Sequence, residues 1–400
     1  MLTTKQAIQE KKFRLSVKIT AAVLVFFAVA GLFEAVARVV FAYREDIQAN
    51  LLISGILQRG LVLDSYEMVS PLGRGHWVLQ PGYQVTQEKL VALKKKSGRK
   101  VGADALHDGI NRRVGKGKAV FRVNANGFKG PELDPAHSRP RILALGDSTT
   151  FGIGATDYPR SLQSDLNSRG IAVEVVNGGV EGYSSRNVLF EIERYKALKP
   201  EIVTLYIGWN SLFFYVPWKD AWENQLCGIW LFKRASWALR SIFGDQHGFA
   251  MKMFNRSPNP DLSSSDVLRL HDYAPPFLDK VERLIDEFES IGTRVILVTL
   301  PGLFTLTAKP SPLALKIGHL PQFTNNPFVL AKLTERYNIA LRALAKRRDL
   351  GLIDLEKWSV ESLQPREAFF SDSVHLTARG LEKIGAFMAD QLANQFYKHK

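Results

Sequence analysis

From Arg141 onward the chain alternates short, almost wholly apolar runs with longer segments whose apolar residues return every three or four positions. The apolar runs Arg141–Leu145, Ile171–Val176, Glu201–Ile207, Thr293–Leu300 and Gly351–Leu355 predict strands. The segments Tyr158–Ser168, Ser185–Ala197, Phe277–Ile291 and Phe328–Arg348 predict helices between them, and a last helix runs from Thr377 to about Phe396. Strands apolar on both faces and separated by helices predict a parallel sheet covered on both sides. The expected fold is α/β: a flavodoxin-like three-layer sandwich around a five-stranded parallel sheet.

The first 140 residues have a different pattern. Lys5, Lys11, Lys12, Arg14 and Lys18 precede an uncharged apolar run from Ile19 to Phe33, and apolar character continues past Glu34 and Arg38 to Tyr43. Glu34 and Arg38, four apart, share a helical face and can partly neutralise each other. The full segment is long enough to span a bilayer. The leading cations place the N-terminus in the cytoplasm and the rest of the chain outside it. A signal peptide cut after Ala28-Val29-Ala30 or Ala35-Val36-Ala37 shares this pattern. A buried soluble helix explains the apolarity but not the cations. The expected organisation is a basic N-terminus over 1–18, a membrane-spanning anchor over 19–43, an accessory segment over 44–140 and the α/β domain over 141–400. Within the accessory segment, Leu79-Gln80-Pro81-Gly82 marks a turn, Ala119–Asn124 a strand, and Asn126-Gly127 a second turn.

Composition sharpens this picture in three places. A single cysteine, Cys227, excludes an intrachain disulfide framework and cysteine-rich zinc sites. The net charge of +14 raises nucleic acid as a partner, but no zinc-finger spacing, RNP-type motif or compact recognition helix accompanies it. Ten of the cations lie between Lys89 and Lys118 against two acids, which reads as a solvated loop or as a contact for anionic glycan or lipid headgroups. The region 212–276 breaks the strand–helix alternation with a run of aromatics from Phe213 to Phe243. It reads as a helical insertion with its own small core, or as a lid or membrane-dipping surface over the sheet edge.

The chemistry gathers at the strand ends. The first strand of the sheet stops on Gly146-Asp147-Ser148, placing a serine hydroxyl where open α/β folds carry their reactive groups. Such a hydroxyl needs a base and a third group to fix the imidazole tautomer. Asp372 and His375, three apart before the final helix, supply both. The other histidines, His76, His107, His137, His247, His271, His319 and His399, read as surface or packing residues. Donors for a developing oxyanion are offered by the Asn177–Ser184 loop, whose glycines let a backbone N–H approach a ligand, and by the Asn210 amide after the third strand.

These blocks resemble the SGNH (GDSL-type) hydrolase superfamily over about residues 141–396. The resemblance implies Ser148 as nucleophile, with Asp372 and His375 completing the catalytic set. It implies an oxyanion hole from the N–H groups of Ser148 and Gly182 and the side chain of Asn210. No metal or other cofactor is implied. Family members often carry Asp after the third-block Asn; here it is Ser211. The stretch Arg122–Pro131 resembles a lead-in found in membrane-anchored bacterial members. The absence of a Gly-x-Ser-x-Gly elbow separates the chain from the α/β-hydrolase fold.

The resulting expectation is an exported serine esterase that removes small O-acyl groups, acetyl foremost, from carbohydrate. An O-acyltransferase of envelope or extracellular polysaccharide would use the same acyl-enzyme. A lipase acting on membrane lipids would use it too. A catalytically silent, membrane-tethered glycan-binding module is the non-enzymatic reading. The partners expected are an acylated small molecule, glycan or lipid and a membrane, with no nucleic acid.

Overall fold

The computed structural model describes residues 4–43, 69–72, 76–86, 119–214, 217–218, 257–321 and 323–397. The basic run 89–118 and most of the aromatic insertion lie outside these residues, as do the side chains of Glu34 and Arg38. Helix α1 (Thr4–Tyr43) is a single 40-residue helix that takes in the leading cations as well as the apolar run. Its stretch Phe13–Phe33 is long and apolar enough to cross a membrane, and none of it is buried against the rest of the protein.

Two antiparallel ribbons follow. Strands β1 (Val69–Leu72) and β2 (His76–Leu79) form the first, and β3 (Gln84–Thr86) and β4 (Ala119–Arg122) the second. The turn expected at Pro81-Gly82 is present: Tyr83 N–H donates to the Gln80 carbonyl. The strand expected over Ala119–Asn124 ends at Arg122, and the chain then folds back so that Val123 bridges Lys129. Asn124 drives this reversal, its side-chain oxygen accepting the N–H groups of Asn126 and Phe128. Lys129 in turn bridges Asn177 on the edge strand of the main sheet.

That sheet contains β5 (Arg141–Gly146), β6 (Glu174–Gly179), β7 (Ile202–Tyr206), β8 (Arg294–Val298) and β9 (Gly351–Ile353). All neighbouring pairs are parallel, in the order β6-β5-β7-β8-β9. This is the flavodoxin-like order expected from the alternation. The second strand begins three residues later than its apolar run: the Ile171 N–H turns back to the Leu166 carbonyl and closes the preceding helix. Strand β6 therefore reaches through Asn177-Gly178-Gly179, so these residues end the strand rather than follow it. Glycine is required there, since a Cβ on Gly179 would collide with the Phe151 backbone nitrogen.

Helix α2 (Ser148–Phe151) is a single turn; α3 (Tyr158–Ser168) starts on an Asp157 cap with Pro159 in its first turn. The helical run expected over Ser185–Ala197 divides at Glu191 into α4 (Ser185–Phe190) and α5 (Ile192–Lys196). Helix α6 (Trp209–Phe214) follows β7; α7 (Leu278–Glu289) precedes β8, and α8 (Pro327–Arg348) precedes β9. After β9 come α9 (Leu355–Ser362) and α10 (Ala378–Leu392). Helices α3 and α10 pack together on one side of the sheet, while α7 packs on α4 and β8 and α8 on β8 and β9. Strands β5 and β7 are buried along their whole length, and each fully buried aliphatic side chain contributes about 1.5–3 kcal/mol. At the amino edge, Arg141 pairs with Glu174 in a nearly dry ion pair and also donates to the Leu198 carbonyl.

Candidate active site

The abrupt stop of β5 defines the site. Gly146 permits close packing, since a Cβ there would strike Thr150 Oγ1 and the Tyr206 carbonyl. Asp147 caps the single-turn helix α2, its buried Oδ1 accepting the Thr149 N–H at 2.9 Å and the Thr149 hydroxyl at 2.8 Å. Ser148 is thereby held at a helix N-terminus on the carboxyl edge of the sheet. Among the described residues no acceptor takes its backbone N–H.

Ser148 Oγ lies 2.7 Å from His375 Nε2. On the far side of the ring, His375 Nδ1 lies 2.7 Å from Asp372 Oδ2. Asp372 Oδ1 accepts the Val374 and His375 backbone N–H groups at 2.9 and 2.8 Å. Serine, imidazole and carboxylate, separated by 227 and 3 positions in the chain, thus form one continuous hydrogen-bonded line. Asp372 sits in a turn closed by the Ser371 N–H on the His375 carbonyl. Thr377 then caps α10, so the helix start fixes where the histidine stands.

The electrostatics follow from this geometry. Burial works against ionising Asp372, but the charges of His375 and His319 and the hydrogen bonds from His375 overcome it and hold the carboxyl well below its usual range. Burial likewise disfavours the imidazolium of His375. Asp372 outweighs that, with Asp147 and Glu181 adding to it, and His375 is pushed up to about 9. Its side chain keeps 32% of its surface exposed, so a substrate can reach it.

The two remaining sequence candidates meet at the Val180–Ser184 loop. Gly182 adopts φ +78°, a left-handed conformation natural to glycine. No acceptor among the described residues takes its N–H. The loop is tied to the end of β5 by Val180 N–H on the Gly146 carbonyl. Asn210, in the first turn of α6, donates Nδ2–H to the Tyr183 carbonyl at 2.8 Å, and its amide carries a second N–H. Ser211 beside it is buried. Among the described residues no group of three or more His, Cys, Asp or Glu could hold a metal ion.

Five further residues at the site carry no sequence signal of their own. His319, read as surface or packing, is buried with its ring on Phe213 at 4.9 Å, and its Nδ1 is 3.8 Å from Asp372 Oδ1. Ser373 clips its backbone, accepting the His319 N–H and donating to its carbonyl. Glu181 has its carboxyl pushed up to about 7 by burial, partly offset by His375 and Lys129. The buried Lys129 donates to the Phe151 carbonyl at 2.6 Å and pairs with Asp157 at 3.4 Å, fastening the stretch before the sheet to the turn that carries Ser148. Trp77 donates to the Glu181 carbonyl at 3.2 Å. A proton acceptor beside a hydroxyl, a carboxylate orienting that acceptor and two backbone donors unclaimed among the described residues are the groups acyl transfer requires.

A model of the GDSL-like lipase/acylhydrolase family matches residues 144–383. Comparison with the curated proteins gives no match. Among solved structures, the chain is similar to a lipase/acylhydrolase from Enterococcus faecalis, with 17% identity, 64% of this chain and 96% of that chain covered, and a TM-score of 0.38. It is similar to an acetyl xylan esterase with 17% identity, 64% and 99% coverage and a TM-score of 0.36. An acetylxylan esterase from Geobacillus stearothermophilus gives 16% identity, 64% and 93% coverage and a TM-score of 0.39.

Proposed function

Because the chain belongs to the GDSL-like lipase/acylhydrolase family and is an ester-bond hydrolase, we propose that it works as a serine esterase through an acyl-enzyme on Ser148. The observation that carries this reading is the line from Ser148 Oγ through His375 to Asp372, with 2.7 Å at each step. His375 Nε2 takes the hydroxyl proton as Ser148 attacks the ester carbonyl. Asp372 holds the proton-bearing Nδ1 and stabilises the imidazolium that forms. The N–H groups of Ser148 and Gly182 and the second amide N–H of Asn210 stabilise the tetrahedral oxyanion. The imidazolium returns its proton to the departing alkoxide, and water, activated by the same histidine, releases the acid.

The substrates proposed are small O-acyl esters, acetyl foremost, on carbohydrate outside the cytoplasm. The apolar stretch Phe13–Phe33, preceded on the same helix by Lys5, Lys11 and Lys12 and carrying Arg14 and Lys18 in its first turns, supports a membrane-anchored chain with its catalytic domain on the far side. The test is p-nitrophenyl acetate turnover by the detergent-solubilised full chain, with Ser148→Ala as control and acetylated oligosaccharide as competitor. Turnover that persists in Ser148→Ala would refute the serine mechanism. Acetyl groups accumulating on an added sugar acceptor, in place of free acetate, would redirect the reading to O-acyl transfer. Membrane fractionation tests the anchor, which a shortened soluble form would overturn.

A further inference from the structure

Glycine at φ +78° brings a difficulty with it. The absence of a Cβ leaves the peptide units flanking Gly182 free to rotate, yet an oxyanion donor works only if its N–H points one way. The relevant unit is Glu181–Gly182. A trans peptide is planar, with its C=O and N–H on opposite edges of one rigid plate. Whatever fixes the Glu181 carbonyl therefore fixes the Gly182 N–H.

The group that fixes it is Trp77, from β2 and 104 residues upstream, outside the residues the family model matches. Its indole N–H donates to the Glu181 carbonyl at 3.2 Å. The indole is buried, edge-on to Tyr183 with ring centres 5.6 Å apart. The Tyr183 hydroxyl donates back to the Trp77 carbonyl. The Tyr183 carbonyl, on the other side of Gly182, is held by Asn210. Both neighbours of the glycine are thus gripped, and the unit carrying its N–H is pinned by the indole alone among the described residues. An accepted hydrogen bond on the carbonyl also polarises the peptide and strengthens its N–H as a donor.

We propose that Trp77 is a positioning residue for ester cleavage, holding the Glu181–Gly182 peptide so that the Gly182 N–H faces the developing oxyanion. The proposal rests on the reading of Gly182 as an oxyanion donor. It makes the segment between α1 and the sheet a working part of the site rather than a spacer.

The test is Trp77→Phe in the full chain, which keeps an aromatic ring against Tyr183 and removes the N–H together with part of the indole's volume. Removing an oxyanion donor outright lowers kcat by about 10²–10³, so loosening one is expected to lower it by roughly tenfold to a hundredfold. That fall is read per active site, titrated by an organophosphonate that labels Ser148, with KM for p-nitrophenyl acetate unchanged. Affinity for a boronic acid, whose tetrahedral adduct on Ser148 mimics the oxyanion, falls by the same factor. A merely structural role would instead reduce the titratable fraction and leave kcat per site and boronate affinity intact. If Trp77→Phe does not fold, the benzothienyl analogue of tryptophan at position 77 fills the same volume without the N–H and gives the same readout. Wild-type kcat per site and boronate affinity in the variant would overturn the proposal alone. Wild-type turnover by Ser148→Ala would bring down the reading of the site, and the proposal with it.

Discussion

Asparagine is the closest isostere of aspartate, yet at position 372 it should be among the most damaging substitutions in the protein. The structure dictates how its amide would lie. Oδ1 accepts two backbone N–H groups, from Val374 and His375, so the amide oxygen must occupy that position. The NH2 then falls where Oδ2 meets His375 Nδ1. A donor facing Nδ1 forces the ring to carry its proton on Nε2, the nitrogen 2.7 Å from Ser148 Oγ. The base would then present a proton to the hydroxyl it should deprotonate. A tautomer error of this kind lowers kcat by about 10⁴ in serine hydrolases built this way, which corresponds to about 5 kcal/mol of transition-state stabilisation. The assay is kcat for p-nitrophenyl acetate by the purified full chain, with Ser148→Ala setting the background. Asp372→Ala, which removes the orienting group without inverting the tautomer, is expected to be no worse than Asp372→Asn. A kcat for Asp372→Asn within about tenfold of wild type would refute the reasoning, because either His375 is not the base or Asp372 does not set its tautomer.

Other consequences are open to direct measurement. Because His375 is raised to about 9 and acts as a base only when neutral, kcat/KM should climb with pH along a limb displaced to the alkaline side of an ordinary histidine. Glu181→Gln removes one of the negative charges that raise it and should move that limb toward acid; an unmoved limb would detach Glu181 from the base. Gly182→Ala puts a side chain at φ +78°, costing about 1–2 kcal/mol of stability. Relaxing that strain turns the N–H away, so kcat should fall by about 10²–10³; full activity would remove Gly182 from the oxyanion hole. Arg141→Met leaves the buried Glu174 carboxylate without its cation and should destabilise by about 3–5 kcal/mol. Thermal unfolding reads this as a fall of roughly 10 °C, and an unchanged midpoint would show that the pair is dispensable.

The parts legible from sequence are those encoded in neighbouring residues. Strands buried on both faces must be apolar throughout, and helices lying on them must repeat every three to four residues, so the alternation and its strand order could be inferred from the chain. Gly146-Asp147-Ser148 and Asp372–His375 were legible for the same reason: a strand end, a cap and a turn are local objects, and each leaves a local pattern. The errors were local too. Ile171 is apolar enough for a strand, but its N–H closes α3 on Leu166, which no periodicity records. Beyond that, the tertiary structure decided. His319 reaches Asp372 across 53 positions, Lys129 reaches Phe151 across 22, and Trp77 reaches Glu181 across 104. None carries a motif, because each interacts with a backbone or carboxylate that only folding brings near. The sequence by itself determined the sheet and singled out Ser148, His375 and Asp372 as candidates. The folded chain decided which distant side chains hold those groups still, since a contact between remote residues has no period, cap or spacing from which to read it.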